Sequence, residues 1–171
     1  AIVVRRGSRD GRTWSKARRI SSQPGDYSLA SGRAARTAHG GWLVAAVHHD
    51  KMSRRAPAEA VCLQSEDSGV TWRETRVLRA AGVADAAIVE VETGRLLGVA
   101  RIGSHLVRCE SIDAGTTWGA PEPTGAEIDT VPFALQKLQG GVALAWTDPP
   151  PDSTAAAPEL RALRLAISTD A

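Results

Sequence analysis

The sequence has 171 residues and lacks most of the features that identify a protein class directly. No run of about 18 apolar residues occurs, so a membrane-spanning helix is not predicted. The formal net charge of +2 is too small to indicate a nucleic-acid-binding protein. The C-x-x-C, H-E-x-x-H, phosphate-loop and G-x-S-x-G motifs are all missing, so the sequence predicts neither a metal site nor a cofactor.

Basic residues are concentrated at the start of the chain. We interpret them as a solvent-exposed face of edge strands rather than as a site for a polyanion. These residues are Arg5, Arg6, Arg9, Arg12, Arg18 and Arg19.

Cysteine is also scarce, since only Cys62 and Cys109 occur. Each lies just before a repeated turn motif, three residues before its first serine in one case and two in the other. Because strand side chains alternate between faces, equivalent strands would point the two thiols to opposite sides. We therefore predict two free, mostly buried thiols and no disulfide, and the cysteines do not define the compartment.

The repeated motif has the pattern Ser-x-Asp-x-Gly-x-Thr-Trp. Residues 65–72 and 111–118 are complete copies, residues 8–14 are a copy with one residue fewer, and residues 168–171 are its first half. Turn residues between strand formers are typical of a β-hairpin. The motif residues are Ser8, Asp10, Trp14, Ser65, Asp67, Gly69, Trp72, Ser111, Asp113, Gly115 and Trp118.

Each position of the motif has a structural explanation. The serine and aspartate side chains can accept hydrogen bonds from backbone N–H groups of their own turn. Glycine allows a backbone conformation that a Cβ atom would penalise, and tryptophan offers a large apolar face that holds the hairpin on its sheet. We therefore predict a structural and not a catalytic role for the motif.

The spacing of the motifs predicts a repeat architecture. Their aspartates lie at positions 10, 67, 113 and 170, which are 57, 46 and 57 residues apart. Such periods, filled with short strands and no helical pattern, are typical of β-propeller blades of four strands. We predict a single partial domain, residues 1–171, with blades near 1–20, 21–80, 81–124 and 125–171. The fourth strand of the third blade is expected to start at Thr117 and to end near Pro121.

The motif is identified as the Asp-box, or BNR repeat, and the chain resembles the sialidase-like β-propeller family. That resemblance implies an all-β, six-bladed propeller, of which this chain covers about three blades of four-stranded antiparallel sheet. Three blades cannot close a ring, so we expect a piece of a longer protein whose remaining blades complete the fold. The resemblance also implies a secreted or periplasmic location.

One segment carries the functional part of the resemblance. Residues 85–101 are similar to the bacterial sialidase pattern E-P-S-x-x-E-L-x-D-G-R-L-L-x-x-x-R. Arg101 falls on one of three arginines that clamp the sialic acid carboxylate, a group that a planar guanidinium can hold through two parallel bonds. Asp85 falls on the glutamate that acts as base toward a tyrosine nucleophile. Asp85 is one methylene shorter than that glutamate, and Ala86 replaces the usual proline.

Two further residues are predicted on the same face, away from the box turns. His48 and Asp148 follow second strands of their blades, and we expect them to contact substrate. The nucleophilic tyrosine and the remaining clamp arginines are expected outside the chain, although Arg161 or Arg164 could supply one of them. Residues 48–50 do not predict a metal site, because adjacent strand residues face opposite ways.

Two functions follow from these residues. The first is part of a sialidase-like glycoside hydrolase, which removes terminal sialic acid or a related acidic sugar from glycans. The alternative is a non-catalytic BNR-repeat propeller that binds a glycan or another protein. In either case the expected partner is a glycan or sialoside and not a nucleic acid, and these 171 residues alone are expected to be inactive.

Overall fold

The computed structural model describes residues 1–28, 34–50, 57–129, 133–148 and 162–169. The described residues contain fourteen β-strands in four antiparallel sheets, which we number as blades 1 to 4 in chain order. No helix in these ranges is long and apolar enough to cross a membrane. The predicted all-β propeller class is confirmed.

The blades contribute different numbers of strands. Blade 1 holds β1 (Val3–Val4) and β2 (Arg18–Arg19). Blade 2 holds β3 (Asp26–Ser28), β4 (Ala34–Arg36), β5 (Trp42–His49), β6 (Ala58–Ser65) and β7 (Arg73–Ala80). Blade 3 holds β8 (Val83–Glu92), β9 (Arg95–Ile102), β10 (His105–Ser111) and β11 (Glu122–Glu127). Blade 4 holds β12 (Ala134–Leu138), β13 (Gly141–Thr147) and β14 (Leu163–Ser168).

Within a blade, consecutive strands pair as an antiparallel meander. In blade 2 the first strand is divided, and both β3 and β4 pair with β5. The first strands β4, β8 and β12 of successive blades lie side by side and line a groove of about 420 Å³. This arrangement places β8, which begins with the segment of Asp85, at the inner edge of blade 3.

The fourth strand of blade 3 lies later in the chain than predicted. It spans Glu122–Glu127 and not residues 117–121. Thr117 is held in the box turn, because its backbone N–H and its hydroxyl both donate to the Asp113 carboxylate. Two residues on, the Gly119 N–H donates to the Glu110 carbonyl, so regular pairing with β10 begins only after that bond.

The core lies between blades, and blades 2 and 3 each bury both faces against their neighbours. Along β6, Val61 and Leu63 pack in a cluster with Ile2 of blade 1, whereas Ala60 and Cys62 pack in a cluster with blade 3. Face-to-face stacking of this kind explains why the inner strands are almost continuously apolar. The same alternation decides which cleft each polar residue enters.

The two cysteines are free and buried, as predicted. Cys62 and Cys109 lie in the same cluster between blades 2 and 3, because opposite faces of these two neighbouring blades meet there. Burial raises the pKa of Cys62 to about 12 and that of Cys109 to about 11, so both thiols stay protonated at neutral pH.

The box turns form a closed set of hydrogen bonds. In the third box, Ser111 Oγ donates to Asp113 and accepts from the Gly115 N–H at 2.8 Å. Asp113 in turn accepts from the Thr117 N–H at 2.8 Å and from its hydroxyl at 2.6 Å. The box of residues 65–72 repeats this pattern with the same partners at equivalent positions. The boxes are therefore structural turns.

The box tryptophans differ in burial. Trp72 and Trp118 are more than half buried, as predicted, and each packs against a core cluster. Trp14 is 61% exposed, because blade 1 contributes only two strands to cover it. Trp14 and Trp72 donate their indole N–H to a glycine carbonyl of their own turn, whereas the Trp118 indole N–H is buried without a partner.

Candidate functional site

The site predicted from the sequence lies at the end of blade 3 that is remote from its box. The box turn contacts the β8–β9 turn, where the Ala114 N–H donates to the Gly94 carbonyl. Asp85 and Arg101 lie at the other end of the same two strands, where they are directly paired across the sheet. The hairpin thus brings together two residues that are sixteen positions apart in the sequence.

Both side chains belong to the face of blade 3 that packs on blade 4. Asp85 alternates in phase with Ala87, and Arg101 alternates in phase with Val99. Ala87 and Val99 pack in the cluster that joins blades 3 and 4. Directly paired residues on one face have Cβ atoms about 5 Å apart, so the carboxyl and the guanidinium are neighbours at the mouth of this cleft.

Asp85 is held in a strongly desolvated position. The residue is 1% exposed, its Oδ1 accepts from the Ala86 N–H at 2.8 Å, and its Oδ2 has no hydrogen-bond partner among the described residues. Burial raises the pKa of Asp85. The amides of Ala86 and Phe133 and the charge of Arg101, in that order, oppose this rise. The pKa of the carboxyl nevertheless stays above its ordinary value.

Arg101 keeps much of its hydrogen-bonding capacity. Its Nη1 donates to the Gly103 carbonyl at 3.1 Å, while its Nε is buried and has no partner. Among the described residues it makes no ion pair within 4 Å, unlike Arg95 at the box end of the same strand, which pairs with Glu110 at 3.2 Å. A guanidinium with free donors in a partly buried cleft can accept a carboxylate.

Blade 4 adds two buried polar groups at the same end. Within the described part of the chain, the Trp146 indole N–H and the Thr147 hydroxyl have no hydrogen-bond partner. The Thr147 carbonyl accepts from the Asp129 N–H at 3.1 Å, which ties the entry of blade 4 to β13. No sequence motif marks either side chain. The one signal for Trp146 is that, like Trp42, it is a tryptophan outside any box.

His48 lies at the corresponding end of blade 2 but faces another cleft. It alternates in phase with Ala46, which packs toward blade 1, and its ring lies 4.8 Å from that of Tyr27. Its Nε2 lies 2.9 Å from the Pro24 carbonyl, and its Nδ1 lies 3.8 Å from Glu59. The structure therefore does not bring His48 together with Asp85 and Arg101.

Asp148 is engaged by another side chain of blade 4. Its Oδ2 accepts from Arg164 Nε at 2.7 Å, so both members of this pair are used within the blade. Arg161, the other arginine considered as a clamp, lies outside the described residues. Tyr27 donates its hydroxyl to Glu74 at 2.8 Å, and burial, followed by Glu74, raises its pKa well above the usual range.

The arrangement suits an anionic ligand rather than a metal ion. Within the described ranges, no group of three or more His, Cys, Asp or Glu side chains could hold a metal. A free guanidinium, a single desolvated carboxyl and buried N–H and O–H groups instead offer several donors and one group that exchanges a proton. Such a set can bind a carboxylate and hydroxyl groups in one cleft.

Comparison with known proteins identifies the fold. The structure described as Hadza microbial sialidase Hz136 matches 98% of the chain at 22% identity and a TM-score of 0.73. An intramolecular trans-sialidase from Ruminococcus gnavus matches 86% at 21% identity and a TM-score of 0.59. An α-L-arabinanase from Penicillium chrysogenum matches 98% at 15% identity and a TM-score of 0.63. These identities establish the shared fold alone.

The matches also show how much of each relative the chain represents. It spans 34% of the Hz136 chain, 32% of the trans-sialidase and 54% of the arabinanase. No curated protein sequence matches it significantly. The sequence profile described as the BNR repeat-like domain matches residues 1–171, which is the whole chain. The chain therefore belongs to the BNR repeat-like domain family.

Proposed function

We propose that this chain supplies one side of the active site of a sialidase-like glycoside hydrolase that acts on terminal sialic acid or a related acidic sugar. The observation that carries the proposal is the pairing of Asp85 with Arg101 on one face of blade 3, each with a buried polar atom that has no partner. An unpartnered buried polar atom costs about 1–3 kcal/mol, so two adjacent ones need an explanation other than stability.

Arg101 is the proposed carboxylate-binding residue. Its fork of donors can form two parallel bonds to a carboxylate, and it stays charged at any working pH. Because the Arg101 Nε has no partner in the described ranges, a ligand oxygen would satisfy it without breaking a bond seen there. This contact favours sugars that carry an acid group over neutral sugars.

Asp85 is the proposed proton-exchanging residue. A carboxyl with a raised pKa can take up and release a proton closer to neutral pH than an exposed aspartate can. Its Oδ1 is bonded to the Ala86 N–H, a donor that a proline at position 86 would not provide. Aspartate and alanine at positions 85 and 86 therefore form one unit, in which the short side chain is anchored to its own backbone. The nucleophile would come from another blade.

The remaining blades are proposed to belong to the same parent protein. In support, the chain spans about a third of the length of its sialidase relatives, and all six residues of β14 are exposed. That strand exposes three large apolar side chains that a further blade would cover, namely Leu163 (74%), Leu165 (64%) and Ile167 (60%).

The test is hydrolysis of a sialoside by the parent protein, with a matched pair of arginine variants. Arg101→Ala removes the proposed ligand contact, and Arg95→Ala removes an arginine at the other end of the same strand. We expect kcat/KM to fall with Arg101→Ala by about 2–5 kcal/mol of transition-state stabilisation, as when a buried charge loses its partner. Arg95→Ala should leave kcat/KM nearly unchanged. Equal activities of the two variants would contradict the proposal.

A non-catalytic, glycan-binding propeller is the second candidate. It is favoured by the short side chain of Asp85, whose carboxyl lies back by about 1 Å relative to that of a glutamate and accepts from the Ala86 N–H. An error of that size can cost about 10²-fold in rate. This candidate predicts that the parent protein binds an acidic sugar through Arg101 but releases no product. Measuring binding and turnover on the same sample separates the two functions.

A further inference from the structure

Trp146 carries a buried indole N–H that has no acceptor among the residues that the structure describes. The residue lies on β13, outside every box, so the turn chemistry that explains Trp14 and Trp72 does not apply to it. Those two tryptophans donate to glycine carbonyls at 3.0 and 3.2 Å. The Trp146 N–H therefore differs from those of Trp14 and Trp72 in two ways: it lies outside a box turn, and it has no acceptor in the described ranges.

The strand register places this indole beside the proposed site. Along β13, Val142, Leu144 and Trp146 alternate onto the face that packs against blade 3. Ala145 pairs with Ala134, so the next position outward in each segment holds Trp146 and Phe133. Phe133 is the residue whose backbone amide acts on the Asp85 carboxyl. A short series of neighbours thus joins Asp85, Phe133 and Trp146 within one cleft.

The chemistry of the indole group narrows the kind of acceptor. Its N–H is a donor only, so it cannot pair with another donor such as the Arg101 guanidinium. It needs a ligand oxygen, and the flat apolar ring that carries it suits the C–H face of a sugar better than a flexible chain. A donor from blade 4 and a guanidinium from blade 3 would then hold two different oxygens of one ligand.

We propose that Trp146 is a further ligand-binding residue, whose indole N–H donates a hydrogen bond to an oxygen of the acidic sugar held by Arg101. This inference rests on the proposed function and adds a second blade to the site. It makes the ligand a bridge between blades 3 and 4, so that binding orders the cleft between them.

The experiment measures binding of the 2,3-unsaturated analogue of N-acetylneuraminic acid to the parent protein by isothermal titration calorimetry. Trp146→Phe keeps an aromatic ring but removes the donor. Trp118→Phe is the matched control, because Trp118 also has a buried N–H without a partner, but at the box end of blade 3. We expect Trp146→Phe to weaken binding about 3- to 10-fold, the range for one hydrogen bond, and Trp118→Phe to change it less than twofold.

A second variant covers the case in which Trp146→Phe does not fold. Benzothienylalanine at position 146 has nearly the shape of tryptophan, with sulfur in place of the N–H, so packing is kept while the donor is lost. The same 3- to 10-fold loss is expected.

The outcomes distinguish this inference from the function on which it rests. Unchanged affinity in both Trp146 variants, with binding lost in Arg101→Ala, would overturn the inference and leave the proposed function standing. A folded wild-type protein that does not bind the analogue would overturn the proposed function, and the inference with it. Weakened binding in the Trp146 variants and loss of binding in Arg101→Ala, with Trp118→Phe nearly unchanged, would support both.

Discussion

The two ends of blade 3 use polar side chains in opposite ways. At the box end, Asp113 is fully engaged: it accepts from a serine hydroxyl, a threonine hydroxyl and a backbone amide. At the other end, Asp85 is more deeply buried, yet one of its oxygens has no partner. The exposed aspartate is thus well bonded, and the buried one is not.

The pKa values follow this difference. Hydrogen bonds from Thr117, first from its hydroxyl and then from its amide, lower the pKa of Asp113 to about 2. Burial raises the pKa of Asp85. An aspartate that stabilises the fold is held in its charged form. An aspartate available for chemistry is desolvated in the folded state, which disfavours its charged form. The comparison indicates that the box end maintains the hairpin, and it supports the proposal that the other end binds a ligand.

The largest expected effect concerns the apolar side of the box end. Trp118→Ala removes a large side chain packed between blades 2 and 3, and the free energy of unfolding should fall by about 3–5 kcal/mol. Trp14→Ala is the control, since that side chain is 61% exposed and should cost less than about 1 kcal/mol. Urea unfolding of the 171-residue chain measures both. Similar losses in the two variants would show that burial does not govern the role of the box tryptophan.

The next prediction concerns the pH dependence of stability at the box end. The folded-state pKa of Asp113 is about 2, below its ordinary value of 3.8, so the unfolded chain binds more protons in this range. The stabilisation is therefore present above about pH 4 and is lost as the pH falls toward 2. Asp113→Asn should lower Tm at pH 7 and flatten the acid part of the Tm profile. An unaltered profile would mean that the box carboxylate does not contribute.

Asp85 should show the opposite sign. Its folded-state pKa lies above 3.8, so the folded chain binds more protons, and stability falls as the pH rises from about 4 through the folded-state pKa. Asp85→Asn should remove this fall and leave Tm at pH 7 unchanged or higher, while lowering sialoside hydrolysis by the parent protein. A marked loss of Tm at pH 7 would place Asp85 among the structural residues instead.

The smallest expected effect sharpens the account of the box turn. Ala114 has a φ of 56°, a left-handed conformation that costs an alanine about 1 kcal/mol relative to glycine. Ala114→Gly should raise the free energy of unfolding by up to about 1 kcal/mol. Gly115→Ala is its counterpart, because a Cβ there would lie 2.9 Å from Leu96 Cδ1, and it should destabilise the chain. Unfolding curves in urea resolve both changes.

The sequence was most informative where the structure depends on local turn chemistry and strand pairing. The box motif predicted the turn hydrogen bonds, and the alternation of strand residues predicted two free buried cysteines. The hairpin of residues 85–101 predicted that Asp85 and Arg101 are neighbours, since two strands and a turn determine that pairing without any other part of the fold.

The sequence was least informative where the outcome depends on contacts between blades. His48 and Asp148 lie at the ends of the second strands of their blades, as Arg101 does. However, the ring of His48 faces blade 1, and Asp148 is paired with Arg164. No sequence pattern marks Trp146, because its proposed role depends on packing with Phe133 and blade 3. Only the assembled cleft brings these residues together. Whether a residue belongs to a site depends on which neighbouring blade its side chain faces. A periodic sequence pattern does not specify that blade.

One crossed measurement tests whether the two ends of blade 3 serve separate purposes. Arg101→Ala and Asp113→Ala are made in the parent protein, and Tm and kcat/KM on a sialoside are measured for each. The account predicts that Arg101→Ala keeps its Tm within about 2 °C and loses activity by at least about 30-fold, whereas Asp113→Ala loses Tm and keeps kcat/KM in its folded fraction. If Arg101→Ala loses Tm while keeping activity, or if both variants lose both properties in proportion, the separation of the two ends is contradicted.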